Sequence, residues 1–415
     1  MNSFEFKKLK TNSGIEFWFV EDKSIPIVSL SFSFKGGASL DSNEKVGISN
    51  IMTSLLDEGT RKLSASEFKD LMKINGMKMY ITTEKDRING VFQIISSQIG
   101  EGFYLLDEAL NYPRFDEREI EKIKKQIGAS IRIDKSNISK LASERFNHFF
   151  FNKHSFSRKV EGSLDSISKI SKNDLISSHK NAFKRNNLNI GVAGDVSERE
   201  IKKYVERVFG KLSNLDKSRK LEDFPSMPTG QKLHKIKTPQ TSVLFGHPGL
   251  ARNDKNFFAM RIANYILGGG GFQSRLYKNI REKRGLVYSV YSYLLSYEED
   301  GVIVGGFQTR NKSVYETIKR VKEEWKEIEI KGITKSELDD AKAYYNGSFT
   351  RNFTSTLSIA KLLQIVQYYN LGENYFKKRN ELINSLSLEK VNNFISEFFK
   401  SEGLFFMIVG EPEKK

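Results

Sequence analysis

The sequence predicts an α+β protein of two homologous half-domains, each a mostly antiparallel sheet with helices on one face. Three observations predict it. The chain has 415 residues, well past the roughly 250–300 at which a single hydrophobic core stops growing. One stretch recurs in register about half a chain later. Strand-like runs come in pairs beside pairs of helix-like runs, where a parallel βαβ protein would alternate them.

The repeat is legible residue by residue. Residues 170–175 precede helix-like sequence and then the apolar run 188–195; residues 386–391 precede more helix and then the run 404–411. Ser171 and Ser387, and likewise Gly194 and Gly410, stand 216 positions apart. In each copy a serine caps a helix with an acid near the third helical position, Asp174 or Glu389, and an apolar strand ends at glycine. A second pair, residues 115–120 and 333–338, is 218 apart and opens a long helical pattern each time. Two copies of one fold follow. The expected organisation is a half-domain over 1–212, a linker over 213–232 and a half-domain over 233–415, the stretch 212–230 being polar and holding two of the chain's seven prolines.

Within the first half, residues 15–20 and 27–34 alternate as strands and 46–57 reads as a helix. A helix over 64–75 follows, then strands over 78–83 and 90–95, then helices over 101–110 and 116–133. In the second half an apolar helix over 257–267 runs into Gly268, Gly269, Gly270 and Gly271. An amphipathic helix over 273–283, a turn at Gly285 and a strand over 286–295 come next.

Composition excludes several chemistries. With no cysteine there are no disulfides, thiolate nucleophiles or Cys-ligated metals. The five histidines, His148, His154, His179, His234 and His247, include no pair at i, i+4, so no preassembled zinc site is present. Gly-x-Ser-x-Gly is absent, and the glycine run lacks the Lys-Ser/Thr of a phosphate loop. The net charge of +16 is spread thinly, without the basic arm or aromatic-interleaved stripe of a nucleic-acid binder. No apolar run reaches the length of a membrane span, and the first 14 residues hold no signal-peptide core.

The segment 267–293 carries the remaining signal, and two readings of it stand side by side. In one, glycine stops a helix, Arg281 lies on a solvated helix face and Tyr288 packs in a strand. In the other, the four glycines leave a loop that another chain can approach closely, and Arg281 and Tyr288 act on a ligand.

Residues 281–292, Arg281-Glu-Lys-Arg-Gly-Leu-Val-Tyr-Ser-Val-Tyr-Ser292, resemble the second-half signature of the pitrilysin/insulinase-like zinc metallopeptidases, the inverzincins. Residues 25–30, the Gly36-Gly37 turn and residues 46–60 are similar to the first half of that family. The likeness covers nearly the whole chain. It is nearest the bacterial type of two half-domains, related to the subunits of mitochondrial processing peptidase, and implies the metallopeptidase α/β roll and a clam-shell dimer.

The family's H-x-x-E-H supplies two zinc ligands and a general base. This chain has Asn50, Thr53 and Ser54 at those positions. The family's third ligand falls at Ser130, and residues 124–133 contain no acid. The first half is therefore expected to hold no metal, with the zinc in a partner subunit. The family's other device, an arginine and a tyrosine seven positions apart in the non-zinc half, is matched by Arg281 and Tyr288. The resemblance implies the non-zinc subunit of a heterodimeric metalloendopeptidase: Arg281 and Tyr288 stabilise the substrate's tetrahedral intermediate at the zinc of a homologous partner, and Gly268 to Gly271 line or gate a chamber for unfolded peptides. No nucleic acid and no membrane insertion are expected. The family likeness points to the periplasm, with the signal peptide not present in this chain, or otherwise to the cytoplasm. The alternative is a structural or peptide-binding subunit of the same fold. A basic binder of anionic polymers is a third reading, resting on net charge alone.

Overall fold

In the computed structural model, which describes residues 4–214 and 224–413, the strands form two sheets. The first contains β1 (Lys7–Lys10), β2 (Glu16–Glu21), β3 (Ile27–Lys35), β4 (Lys78–Thr83), β5 (Arg87–Ile95) and β6 (Leu188–Gly194). The second contains β7 (Gly230–Lys235), β8 (Gln240–Pro248), β9 (Val290–Ser296), β10 (Gly301–Arg310) and β11 (Phe405–Gly410). The first is ordered β1-β2-β6-β3-β5-β4 and the second β7-β11-β8-β10-β9. Apart from β1, the two orders superpose strand for strand. All pairs are antiparallel except β2 with β6 and β7 with β11.

The duplication extends to single residues. Ser171 caps the helix Lys172–Ala182 in a capping box with Asp174, and Ser387 accepts from the Lys390 amide at the start of Leu388–Phe398. Glu389 takes no part in a box there. Gly194 and Gly410 end their strands at φ 144° and 149°, a conformation L side chains rarely adopt. Phe32 lies across Gly90, and Phe245 across Gly305, where the glycine is the cross-strand partner of the phenylalanine. A Cβ at either glycine would come within about 2 Å of the ring. Each sheet thus buries an aromatic over a glycine at the same place in its topology.

The chain divides into two compact units. The first comprises Met1–Ile131, Arg158–Leu221 and Thr350–Glu373, and the second Arg132–Ser157, Glu222–Phe349 and Asn374–Lys415. Each sheet of the expected halves therefore carries one helix from the other half of the sequence. In the first unit the helix Thr356–Tyr368 packs on β6, β3 and β2. Polar contacts help seat it: Gln364 bonds Ser33 in the buried interior, Thr356 and Ser29 are 2.8 Å apart, and Gln367 donates to the Ile190 carbonyl at 2.7 Å. In the second unit the helix Ile138–Phe150 packs on β8 and β11 through Ala142, Phe146 and Phe150, with Val302, Val304, Phe405 and Met407 beneath. The remaining helices of each unit gather on the opposite face around one large core. Sequence periodicity locates the helices of that face, and the exchanged helix on the other face is a finding of the structure.

Of the stretch expected as linker, residues 215–223 lie outside the described residues. Its last three belong to β7, which starts at Gly230. In the first half the helix expected over 46–57 is confined to Ile48–Ser54, while strands 27–34 and 78–83 match β3 and β4 within a residue.

Candidate functional site

The segment around Arg281 is built from two π-helical turns instead of one continuous helix. The helix Phe257–Asn264 passes into a π turn over Tyr265–Gly269, where the Gly270 amide bonds the Tyr265 carbonyl at 2.8 Å. Gly268 explains the wide turn: a Cβ there would lie 2.4 Å from Ser292 Oγ and 2.9 Å from its backbone nitrogen. The chain is pressed against β9, and buried Asn264 accepts from Ser292 Oγ at 2.7 Å. A second π turn, Tyr277–Glu282, carries Arg281, and there the Lys283 amide bonds the Lys278 carbonyl at 3.0 Å. The α-helix expected over 273–283 is thus corrected. Isolated π turns occur mostly as insertions in helices, frequently at functional sites.

Tyr288 is also placed differently from the expectation. The strand expected over 286–295 starts at Val290. Before it, Gly285 turns at φ 59°, the Leu286 amide bonds the Ile280 carbonyl and the Leu286 carbonyl accepts from Thr309 Oγ1. Val287 and Val290 enter the core and leave Tyr288 between them turned outward, 87% exposed. It packs in no strand, and the tyrosines of β9 that follow it are Tyr291 and Tyr293. Those two share a face of β9 and stack 5.7 Å apart.

The Arg281 guanidinium lies 6.0 Å from the Tyr288 ring and 5.0 Å from that of Tyr277. Tyr277 is buried and meets Phe272 edge to face at 4.8 Å. Phe272 is itself 73% exposed. A continuous cluster therefore runs Phe272, Tyr277, Arg281, Tyr288, with Tyr277 buried beneath the exposed rings of Phe272 and Tyr288. Sequence reasoning missed Phe272 and Tyr277, although the i, i+4 spacing of Tyr277 and Arg281 was a usable signal. The base of the segment is anchored by Arg275, which forms two 2.7 Å bonds to Glu337 and one to the Gly332 carbonyl. Of the glycines expected to line a chamber, Gly268 is buried in packing, while Gly269 and Gly271 are exposed and Gly270 is partly so.

In the first unit, Asn50, Thr53 and Ser54 lie on the helix Ile48–Ser54. The Thr53 hydroxyl is 4% exposed as a residue and sits 3.0 Å from Thr83 Oγ1 and 3.1 Å from the Asn50 carbonyl, to which Ser54 Oγ also donates at 2.8 Å. These are an amide side chain and two hydroxyls, both hydroxyls bonded to the Asn50 backbone carbonyl of their own helix, and zinc takes imidazole, thiolate or carboxylate. The set does not fit that metal. Ser130 is exposed on the helix Glu117–Asp134. The buried carboxylate just past the short helix, Glu58, is committed elsewhere: burial pushes its pKa up, but hydrogen bonds from Lys122 and Lys69 outweigh burial and hold it low. Among the described residues no three His, Asp or Glu side chains converge as metal ligands. The histidines are scattered: His179 bonds the Leu110 carbonyl, His247 the Pro248 carbonyl, and burial pushes each imidazole down to about 4.

Residues 18–163 match the family described as "Insulinase (Peptidase family M16)", and residues 169–345 match "Peptidase M16 inactive domain". Together the matches span more than half of the chain. The chain belongs to peptidase family M16. An M16 relative from Helicobacter pylori, "Non-peptidase homolog YmxG", is 28% identical over 402 residues, covering 95% of this chain and 92% of that protein. One from Bacillus subtilis, "Uncharacterized zinc protease YmxG", is 25% identical and covers 95% and 96%. The crystal structure of a peptidase M16 inactive domain from Pseudomonas fluorescens superposes with a TM-score of 0.93 at 26% identity, over 99% of both chains. In the second unit of this M16 chain the candidate site is the cluster of rings around Arg281. No helix of the described residues is long and apolar enough to cross a membrane.

Proposed function

We propose that the chain is the non-zinc subunit of a heterodimeric M16 metalloendopeptidase, offering Arg281 and Tyr288 to a peptide held at the active site of a homologous, zinc-bearing partner. The observation that carries this is the pose of Tyr288: an aromatic side chain 87% exposed, anchored by core residues on either side and within 6.0 Å of a guanidinium. Attack on a peptide carbonyl concentrates negative charge on oxygen. A guanidinium and a phenol held in advance stabilise that charge without reorganising. The phenol donates one hydrogen bond and the guanidinium supplies charge, so both act more strongly on the tetrahedral species than on the ground-state amide. The peptide itself would add as a strand to a sheet edge of the partner, which gives affinity with little side-chain selectivity.

Reconstitution tests the proposal. The chain is mixed with an M16 subunit that retains H-x-x-E-H and is encoded in the same genome, and hydrolysis of an unstructured peptide is followed with each protein alone and together. The expected result is turnover in the mixture, abolished by a chelator, and none with this chain alone. Full activity of the zinc subunit by itself, unchanged on mixing, would contradict the proposal.

The closer approach of Arg281 to Tyr277, at 5.0 Å, favours a second reading. In it the guanidinium stacks to hold the π turn, and the chain serves as a structural or peptide-binding subunit.

A further inference from the structure

The helix Glu198–Phe209 of the first unit buries Ile201, Val205, Val208 and Phe209, so its period turns positions 199, 202, 203, 206 and 207 to the opposite face. That face borders an open groove of about 670 Å³, lined by Arg199, Lys202, Lys203 and Arg207 together with Glu198 and Glu206. Both glutamates are engaged. Glu198 pairs with Lys7 of β1, and Glu206 accepts from the Ser13 amide at 3.1 Å and from the Ser13 hydroxyl at 2.9 Å. Among the described residues Arg199, Lys202 and Lys203 form no side-chain hydrogen bond and no ion pair.

The positive surface continues past the groove. Arg207 lies 3.7 Å from Asp107, which also accepts from Lys211 at 2.7 and 2.9 Å. Beside them Arg61 bonds Glu108 at 2.9 Å and lies 3.8 Å over the Tyr112 ring, with Lys211 5.0 Å from the same ring. Asp107 and Glu108 are buried, whereas Arg61, Arg207 and Lys211 are exposed. The acids therefore lie underneath and fix the direction of cations that reach solvent. In sequence these residues are far apart, at 61, 107–112 and 199–211, so no basic stripe is visible along the chain until the fold assembles one.

We propose that this groove and the cations beside it bind an acidic segment of polypeptide. Carboxylates on one face of an extended segment recur every ~7 Å, and successive helix turns offer cations every ~5.4 Å, a mismatch that long lysine and arginine side chains absorb. Guanidinium forks take carboxylates in two parallel bonds. The surroundings favour a peptide over other polyanions. A nucleic-acid strand stacks its bases on bare rings, but no aromatic side chain lines the groove and Tyr112 is covered by Arg61. A lipid surface is held by apolar side chains as well as charge, and none of the exposed large hydrophobic residues falls within 99–112 or 198–211.

The full chain is titrated into a fluorescent oligoglutamate peptide and followed by anisotropy, with oligoglutamine of the same length, oligothymidylate and phosphatidylglycerol vesicles in parallel arms. The expected result is saturable binding of oligoglutamate that weakens with added salt, no binding of oligoglutamine, and weaker binding of the other two. In the triple variant Arg199→Gln, Lys202→Gln, Lys203→Gln, melting should match wild type while affinity for oligoglutamate falls about tenfold or more. A second triple variant, Lys326→Gln, Lys377→Gln, Lys378→Gln, removes the same charge from exposed positions of the second unit and should bind as wild type does. Absence of saturable binding, an equal loss in both triple variants, or tighter binding of oligothymidylate or vesicles would overturn the proposal.

Discussion

Single atoms set the character of the Arg281 segment. The absent Cβ of Gly268 lets the π turn seat against Ser292, so Gly268→Ala forces either the turn or β9 to move. Overpacking of this kind typically costs about 1–3 kcal/mol, and the melting midpoint should fall by several degrees with the Arg281 turn displaced. A melting curve superposing on wild type would show that the close contact is not tight. His247 provides a second test at this scale. It is 2% exposed among Trp325 and Phe399, and its folded pKa, about 4, lies below its ordinary 6.5 because of burial. The unfolded chain binds that proton more readily, so the contribution is fully present above about pH 6.5 and is lost as pH falls toward 4. It amounts to ~3 kcal/mol at about 1.4 per pH unit. His247→Gln should melt lower at pH 7 and depend less on pH between 6.5 and 4. An unchanged slope would assign the acid sensitivity to other groups.

Among the elements, those that repeat were legible in the sequence and those that cross over were not. Ser171, Ser387, Gly194 and Gly410 announced their caps and strand ends because capping and positive φ are local requirements that only a few residue types meet. Hydrophobic spacing cannot say which sheet a helix covers, so the destinations of Ile138–Phe150 and Thr356–Tyr368 had no local signature. The π turns were hidden for a related reason, since their extra residue answers to the contact of Gly268 with a strand more than twenty residues on. Tyr288 was misplaced into a strand because β-propensity continues through Leu286 and Val287, while the ladder starts only at Val290. The exchanged helix of the second unit should be a principal support of its sheet. Phe150 is fully buried, and Phe150→Ala is expected to cost about 3–5 kcal/mol, read by denaturant unfolding. A loss below ~1 kcal/mol would mean that the helix adds little to the sheet it covers.

For the molecule as a whole, the family and the absence of zinc-ligand side chains at its metal positions were legible in the sequence. Asn50, Thr53 and Ser54 are chemically unable to replace two imidazoles and a carboxylate, and the Thr53 and Ser54 hydroxyls bond the Asn50 backbone carbonyl within the helix instead. The second unit has Arg281 and Tyr288 at the spacing that the resemblance implies for substrate stabilisation. What the structure adds is their pose, outward and mutually close. The central claim is that this pose serves catalysis in an assembly and does not serve packing. The direct measurement is steady-state hydrolysis by the reconstituted heterodimer carrying Tyr288→Phe, with Tyr291→Phe as the control from the neighbouring strand. An exposed ring that loses only its hydroxyl should leave assembly and melting within about 0.5 kcal/mol of wild type. A donor that meets the carbonyl oxygen as charge develops should lower kcat by about 10² or more with a smaller effect on KM. Wild-type kcat in Tyr288→Phe, or an equal loss in Tyr291→Phe, would contradict the account.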